Sequence, residues 1–469
     1  MSHAFPDQRF LRGNFAPLRL ECDAPDLIIE GELPRDLYGT LLRNGPNPLF
    51  PPRDQYHMFS GDGMVHAFHI EDGRVSYRNR WVRTEKFERE RSAGRALYGT
   101  FGNPATSDPT VRGTSYNVAN TNVIWHGGRL LALEEFSPPF ELDAVTLASR
   151  GLFDFGGGVS GPFSAHPKID AQSGALHAFG YGLDGAGSKR MAYYHIDAGG
   201  VLTRSIEFDA PYACMVHDFI VTERYIVFPI FPLTISPARA RTGGPLLAWE
   251  PQLPSVLGYM PRTGDAQDIV WVEGEACCVF HPLNAYDDGT TLTADMLRYD
   301  AGPGFPTADG SAPDPAKAVA RLERWRLPLQ GNTRSYTMER LDDQAAEYPR
   351  LDERFAGLRH RYGFFATTAS EQGRAAMFDE IARYDFDLNI KTSFRVPQGD
   401  FVSEPIFVPL AADAPQGQGY LLAVVYRGAQ ARSDLLVLDA EQLSAGPLAI
   451  AHLETRVPFG FHGNWMAGQ

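Results

Sequence analysis

Short runs rich in Val, Ile, Phe and Tyr recur along this chain, and D-G, G-G and S-G dipeptides stand between them. Such a dipeptide between apolar flanks is the strongest short-range hairpin signal, because Gly, Asp and Asn tolerate the positive φ that tight hairpin turns require. FHIEDGRVSYRNRW (Phe68–Trp81), NVIWHGGRLLALEE (Asn122–Glu135), KIDAQSGALHAFGY (Lys168–Tyr181), YHIDAGGVLTRSIEF (Tyr194–Phe208) and NAYDDGTTLTADML (Asn284–Leu297) all have this form. Hairpins spread over several hundred residues, without alternating strand and helix patterns, point to a closed or radial all-β architecture rather than a parallel sheet. A propeller leads, although no clean repeat of about 40 to 50 residues, the usual length of a blade, stands out. The loop-like AGPGFPTADGSAPDPAK (Ala301–Lys317) reads as a connection between blades, since strand-like sequence resumes on both sides. Helical patterning is confined to short pieces such as EQGRAAMFDEIARY (Glu371–Tyr384).

With 469 residues and 43% apolar composition the chain can bury a large core. That length allows two or three ordinary domains but also a single large β domain, and a single domain over residues 1–469 is the expectation. The start, MSHAFPDQRFLRGNF, lacks a basic segment followed by an apolar run, and no stretch reaches the roughly 18 apolar residues of a membrane span. No transmembrane segment and a cytoplasmic location are therefore expected. The formal charge of −14, with no lysine run or basic helix, argues against nucleic acid as a partner. Cys22, Cys214, Cys277 and Cys278 offer no C-x-x-C spacing, and the adjacent pair could not share a normal disulfide, so buried free thiols are expected. The 30 Phe imply either a deep apolar pocket or simply a large core.

FGFHGNW (Phe459–Trp465) is an unusual terminus: chain ends fray unless something ties them down, and here a histidine stands among aromatics and glycines. Of the 13 histidines most need no special explanation. His66 and His69, three apart on a strand pattern, fall on opposite faces and should not share a metal. His166 in SAHPKID, His217 in MVHDFIV and His281 in VFHPLNAYDDG have similar settings, flanked by apolar or small residues and followed closely by Pro or Asp. Each alone reads as a core or turn histidine. With His462 they make four, spread as a propeller requires if different blades supply them to a common axis.

RNGPNP (Arg43–Pro48), GDGMVHAF (Gly61–Phe68), ANTNVI (Ala119–Ile124), AHPKID, HDF, FHPLNAYDDG, EPIFVP (Glu404–Pro409) and the terminal FHGNW together resemble the carotenoid cleavage oxygenase family. Their order and spacing match from about residue 10 to the end. Within the family the chain is most similar to the bacterial lignostilbene dioxygenase branch, whose members cleave stilbenes and related aryl alkenes. The resemblance implies a seven-bladed β-propeller with a cap of loops and short helices over an apolar tunnel. It also implies a non-haem iron(II), Fe(II), held by His166, His217, His281 and His462. Imidazole suits iron(II), and neutral ligands leave the ion's charge intact. The glutamates that orient these rings would be Glu135, Glu347 and Glu404, since outer carboxylates fix the tautomer of a metal-bound histidine. Thr121 matches a threonine whose methyl crowds a vacant coordination position, and Phe59 an aromatic that packs on the substrate ring.

The implied reaction takes O2 and a small aromatic alkene to two carbonyl products without outside electrons. No nucleotide motif of the G-x-x-x-x-G-K-[ST] or G-x-G-x-x-G kind is present. The chain departs from the lignostilbene pattern at two places, where a tyrosine and a lysine typically grip the substrate's 4-hydroxyl as a phenolate. Here stand Phe101 and Glu134. A carboxylate accepts a hydrogen bond from a phenol but repels a phenolate. Two other readings stay open, an apocarotenoid substrate and an inactive propeller scaffold. Zinc hydrolysis fits less well, because catalytic zinc commonly keeps three protein ligands and a water. A homodimer is one open assembly state.

Overall fold

The structure is a computed structural model that describes residues 4–331, 335–368 and 377–468. The hairpin signals hold: Asp72 and Gly73, with φ of 50° and 73°, turn Gly63–Glu71 into Arg74–Trp81. Gly127 and Gly128, at 55° and 73°, do the same between Asn122–His126 and Arg129–Leu133. Positive φ at both central positions matches the right-handed twist of the flanking strands. The two α-helices among the described residues are short, Glu85–Ala93 and Pro237–Arg241. No helix there is long and apolar enough to cross a membrane.

The chain divides into two compact units. One takes in the chain up to Ser160 and again from Phe394. Its first sheet runs in the order Asp23–Ala24, Arg74–Trp81, Gly63–Glu71, Gly39–Pro46, Gly463–Ala467. The second is a four-stranded meander from Asn122–His126 to Ser149–Leu152. The third runs Ile28–Gly31, Pro447–His452, Arg432–Asp439, Gly419–Arg427, Phe401–Val402, with Ile406–Pro409 also on Gly419–Arg427. Two of these sheets thus join strands from both ends of the chain: Arg43 lies opposite Gly463, and Ile29 opposite Ala451. This pairing is what holds the terminal segment.

Residues alternate along these strands, yet both faces are buried. Leu41 and Phe68 pair on one face and join Ile406, Leu422, Leu435 and Val437 of the third sheet. Leu42 and Val65 face the other way, against Val123, Leu130 and Phe140 of the second. Two-sided burial explains the near-continuous apolar runs. His66 and His69 do separate as their spacing predicts: His66 is buried with Nδ1 2.7 Å from the Tyr77 hydroxyl, while His69 meets Thr40 Oγ1 at 3.0 Å on the partly exposed side.

The other unit, Gly161–Ser393, carries four antiparallel four-stranded sheets, beginning with Lys168–Ile169, Ile220–Val221, Cys278–Asp287 and Ala345–Arg350. A two-stranded pair, Leu233–Ile235 with Leu247–Trp249, accompanies them. Three larger sheets in one unit and four in the other give the count a seven-bladed propeller needs.

Two local expectations are corrected. Residues 301–317 do not connect blades; they join Thr291–Tyr299 to Arg321–Pro328, neighbouring strands of one sheet. The Lys317 carbonyl accepts from the Asp300 and Ala301 amides and closes the neck of this loop, and closure entropy grows only slowly with loop length. Of the helical pattern at 371–384, residues 371–376 lie outside the described residues, and Glu380–Asp385 is a strand paired with Tyr362–Thr368. Ile381 and Ala382 are fully buried there, and this packing overrides a local helix preference.

Candidate metal centre

Three of the four candidate histidines stand where the first strand of a sheet begins or bends. His166 precedes Lys168–Ile169, and His217 precedes Ile220–Val221. His281 lies inside Cys278–Asp287, whose register shifts on either side of Pro282. Such bulges re-aim a side chain out of the regular alternation. The Nε2 atoms of His166 and His217 are 3.0 Å apart, and those of His217 and His281 are 3.1 Å apart. Two nitrogens that bind one ion at about 2.1 Å lie within about 4.2 Å of each other. Spacings of this size would let these rings share one ion.

His462 immediately precedes Gly463–Ala467. Its carbonyl accepts from the Asn44 amide at 2.8 Å, and its amide donates to the Thr121 carbonyl at 3.1 Å. His166, His217, His281 and His462 each offer a ring nitrogen within 4.8 Å of the others, and this group could hold a metal ion. The donor set, four imidazoles and no thiolate, suits a first-row divalent metal.

Glu347 and Glu404 meet two of these rings. His281 Nδ1 donates to Glu347 Oε2 at 2.6 Å, and that carboxylate also accepts from the Tyr299 hydroxyl at 2.7 Å and the Tyr348 amide at 2.7 Å. Burial by itself would raise the Glu347 pKa, but His281 and these donors outweigh it and hold the group below its ordinary value. Tyr348 adopts φ of 57°, and the strand slips register between Glu347 and Arg350, so the backbone is bent where the carboxylate is presented. His462 Nδ1 donates to Glu404 Oε1 at 2.9 Å. With Nδ1 carrying the proton, the Nε2 lone pair of either ring is the one that would bind a cation. Glu135 is buried just beyond Arg129–Leu133. Asp218, which the sequence reading passed over inside HDF, approaches His166 Nδ1 at 3.9 Å and pairs with Lys168 at 2.7 Å.

The candidate pocket residues gather in the first unit. Phe59 touches Phe101 edge-on, with centroids 5.3 Å apart, and meets Phe461 at 5.7 Å. Asn120 Nδ2 donates to the carbonyls of Phe59 and Gly61 at 3.0 and 2.7 Å, and Thr121 Oγ1 donates to Asn120 Oδ1 at 3.0 Å. The Thr121 amide donates to the Leu133 carbonyl at 2.9 Å, which sets Glu134 beside the same backbone. Glu134 is buried; the Phe136 amide donates to its Oε2 at 3.0 Å, while Oε1 has no hydrogen-bond partner among the described residues. Burial pushes its carboxyl up to about 7 against the opposing hydrogen bonds from Ser137 and Phe136.

His57 is an addition that its sequence context did not signal. Its ring packs on Phe59 and Phe101 at 4.6 and 5.1 Å, and its Nδ1 accepts from the Phe59 amide at 3.2 Å. Burial pushes its pKa down to about 4, so the ring is neutral with its proton on Nε2. The group is a largely apolar, aromatic wall with one neutral donor, suited to a flat aromatic molecule.

Residues 15–467 match the model of the retinal pigment epithelial membrane protein family, RPE65. The chain is 39% identical to the isoeugenol monooxygenase of Pseudomonas putida, over 97% of this chain and 98% of that protein. It is 37% identical to lignostilbene-alpha,beta-dioxygenase isozyme III of Sphingomonas paucimobilis, over 99% and 98%. Among solved structures, the lignostilbene dioxygenase of Pseudomonas brassicacearum aligns over all of both chains with a TM-score of 0.96 at 36% identity. The fold is accordingly a seven-bladed β-propeller.

Proposed function

The chain belongs to the RPE65 family of carotenoid oxygenases, and from that premise we propose that it is a non-haem iron(II) dioxygenase cleaving the C=C bond of an aryl alkene. One O2 and one alkene give two carbonyl compounds, so atoms and electrons balance without a reductant. The observation that carries the reading is the four-histidine group, with Glu347 and Glu404 on the Nδ1 atoms of His281 and His462. Iron(II) bound there would supply a site for O2 beside the alkene. Glu135 is assigned with the other two glutamates to orient a ligand ring.

The protein's own residues do the rest. Phe59 and Phe101 pack the substrate ring, Thr121 narrows the space beside the metal, and Asn120 fixes the Phe59 backbone. Glu134 and Phe101 offer no cation and no phenol, so the aryl oxygen is received neutral, as a free phenol or a methyl ether. Loops and short helices form a cap over an apolar tunnel leading to this wall, and the whole works as one propeller domain. The free thiols of Cys22, Cys214, Cys277 and Cys278 fit a reducing compartment, and we place the enzyme in the cytoplasm.

Metal analysis of protein purified without added metal, followed by a panel of stilbenes, isoeugenol-type propenylbenzenes and apocarotenoids incubated under 18O2, tests the reading. About one iron per chain is expected, with labelled aldehydes from the aryl alkenes. Zinc in place of iron, or turnover confined to apocarotenoids, would replace it.

A further inference from the structure

We propose that Arg43 is a positioning residue for the metal centre, holding His462 in its ligating orientation through Glu404. The inference rests on the reading of His462 as a ligand. Arg43 is 3% exposed and Glu404 2%. The guanidinium contacts three points around the ligand: Nη1 donates to the Glu404 carbonyl at 3.3 Å and lies 3.6 Å from Glu404 Oε2, and Nη2 donates to the Phe461 carbonyl at 3.0 Å. Glu404 spends its own two oxygens on either side of the same peptide, Oε1 on His462 Nδ1 at 2.9 Å and Oε2 on the Gly463 amide at 2.8 Å. One cation therefore fixes the residue before His462, the carboxylate that orients its ring, and the backbone carrying that carboxylate.

The strand pairing makes this approach feasible. Arg43 lies opposite Gly463, where a Cβ would collide with the Leu42 carbonyl and sit 3.0 Å from Arg43 Cγ. Glycine at 463 thus lets the arginine stem pass. A lysine could not serve equally, because a compact ammonium lacks the planar fork that reaches two carbonyls while flanking a carboxylate. Desolvation offsets most of the attraction in a buried ion pair, so this pair adds little net stability over apolar packing. Its effect is the geometry it imposes.

Arg43→Met, Arg43→Lys and His462→Ala are prepared, with Lys86→Met as a control that breaks another buried ion group of the same unit, Lys86 with Asp62 and Glu90. Each is loaded with iron(II), and separately with cobalt(II), and metal release to a chelator, the cobalt visible spectrum and Tm are recorded. Arg43→Met is expected to release metal about 10 to 100 times faster than wild type, the usual range for outer-shell partners, with an altered cobalt spectrum. Arg43→Lys, which keeps the charge and the fold, should still release several-fold faster. Lys86→Met should lower Tm without changing the spectrum. Wild-type release and spectrum in Arg43→Lys, or release in Arg43→Met no faster than in a Lys86→Met of equal Tm, overturns the proposal. If His462→Ala keeps its metal, the ligand reading itself fails; if it loses metal while the Arg43 variants behave as wild type, only the role of Arg43 fails.

Discussion

Glu347 Oε2 lies 2.6 Å from His281 Nδ1, and this carboxylate takes two further hydrogen bonds from Tyr299 and Tyr348. The oxygen that receives the imidazole N–H is thereby held in one direction, and so is the ring.

Glu347→Gln should disturb this most directly, since an amide has one acceptor oxygen and an NH2 group that confronts the donors already present. Metal affinity or rate should fall about 10 to 100-fold, and Glu404→Gln and Glu135→Gln should each do likewise. Titration of apo-protein with iron(II) and single-turnover rates measure this. Wild-type values in all three would remove the carboxylates from the site.

His462→Ala should abolish both iron retention and alkene cleavage, as it removes one of the four histidines proposed to hold the metal. Iron content by mass spectrometry and product formation are the readouts, and near-full occupancy with turnover would exclude His462.

Glu134 should leave a mark on stability. Its folded pKa, about 7, stands above the ordinary 4.5, so the unfolded chain ionises first as pH rises. The folded state is then penalised progressively between these values, and above about 7 the penalty is constant. Relative to Glu134→Gln, wild type should lose stability as pH rises from about 5 towards neutral, by at most about 3 kcal/mol. Urea unfolding of both proteins at intervals between about pH 5 and about pH 8 checks the sign.

Substrate choice should follow Phe101 and Glu134. Phe101→Tyr with Glu134→Lys should raise kcat/KM for a 4-hydroxystilbene relative to its 4-methoxy analogue by roughly ten- to a hundred-fold, the worth of one charge-assisted hydrogen bond made in the transition state. The ratio is measured at matched iron content. A strong wild-type preference for the 4-hydroxy compound, unchanged in the double mutant, would assign specificity elsewhere.

The strand positions and the four histidines are legible in the sequence itself. The turn dipeptides located the strands, because φ at Asp72 or Gly127 is a local property. The four histidines were readable only as a set, since each alone resembles a core histidine. Long-range pairing was not readable: nothing local to Gly463–Ala467 names Gly39–Pro46 as its neighbour. The role of Arg43 in RNGPNP is not legible in the sequence, because a buried cation is recognised only by what surrounds it. Residues 301–317 show the converse error, for loop composition marks a turn but not whether the strands it joins are neighbours.

The pairing of Gly463–Ala467 with Gly39–Pro46 has a bearing on biosynthesis. During translation the early strand emerges hundreds of codons before its partner, and the nascent polypeptide must keep that apolar edge from other contacts until Gly463–Ala467 has been made. His462 immediately precedes that partner strand, so the four-histidine group forms only once this segment has been made. A product terminated before this strand would lack the partner of Gly39–Pro46 and His462 together.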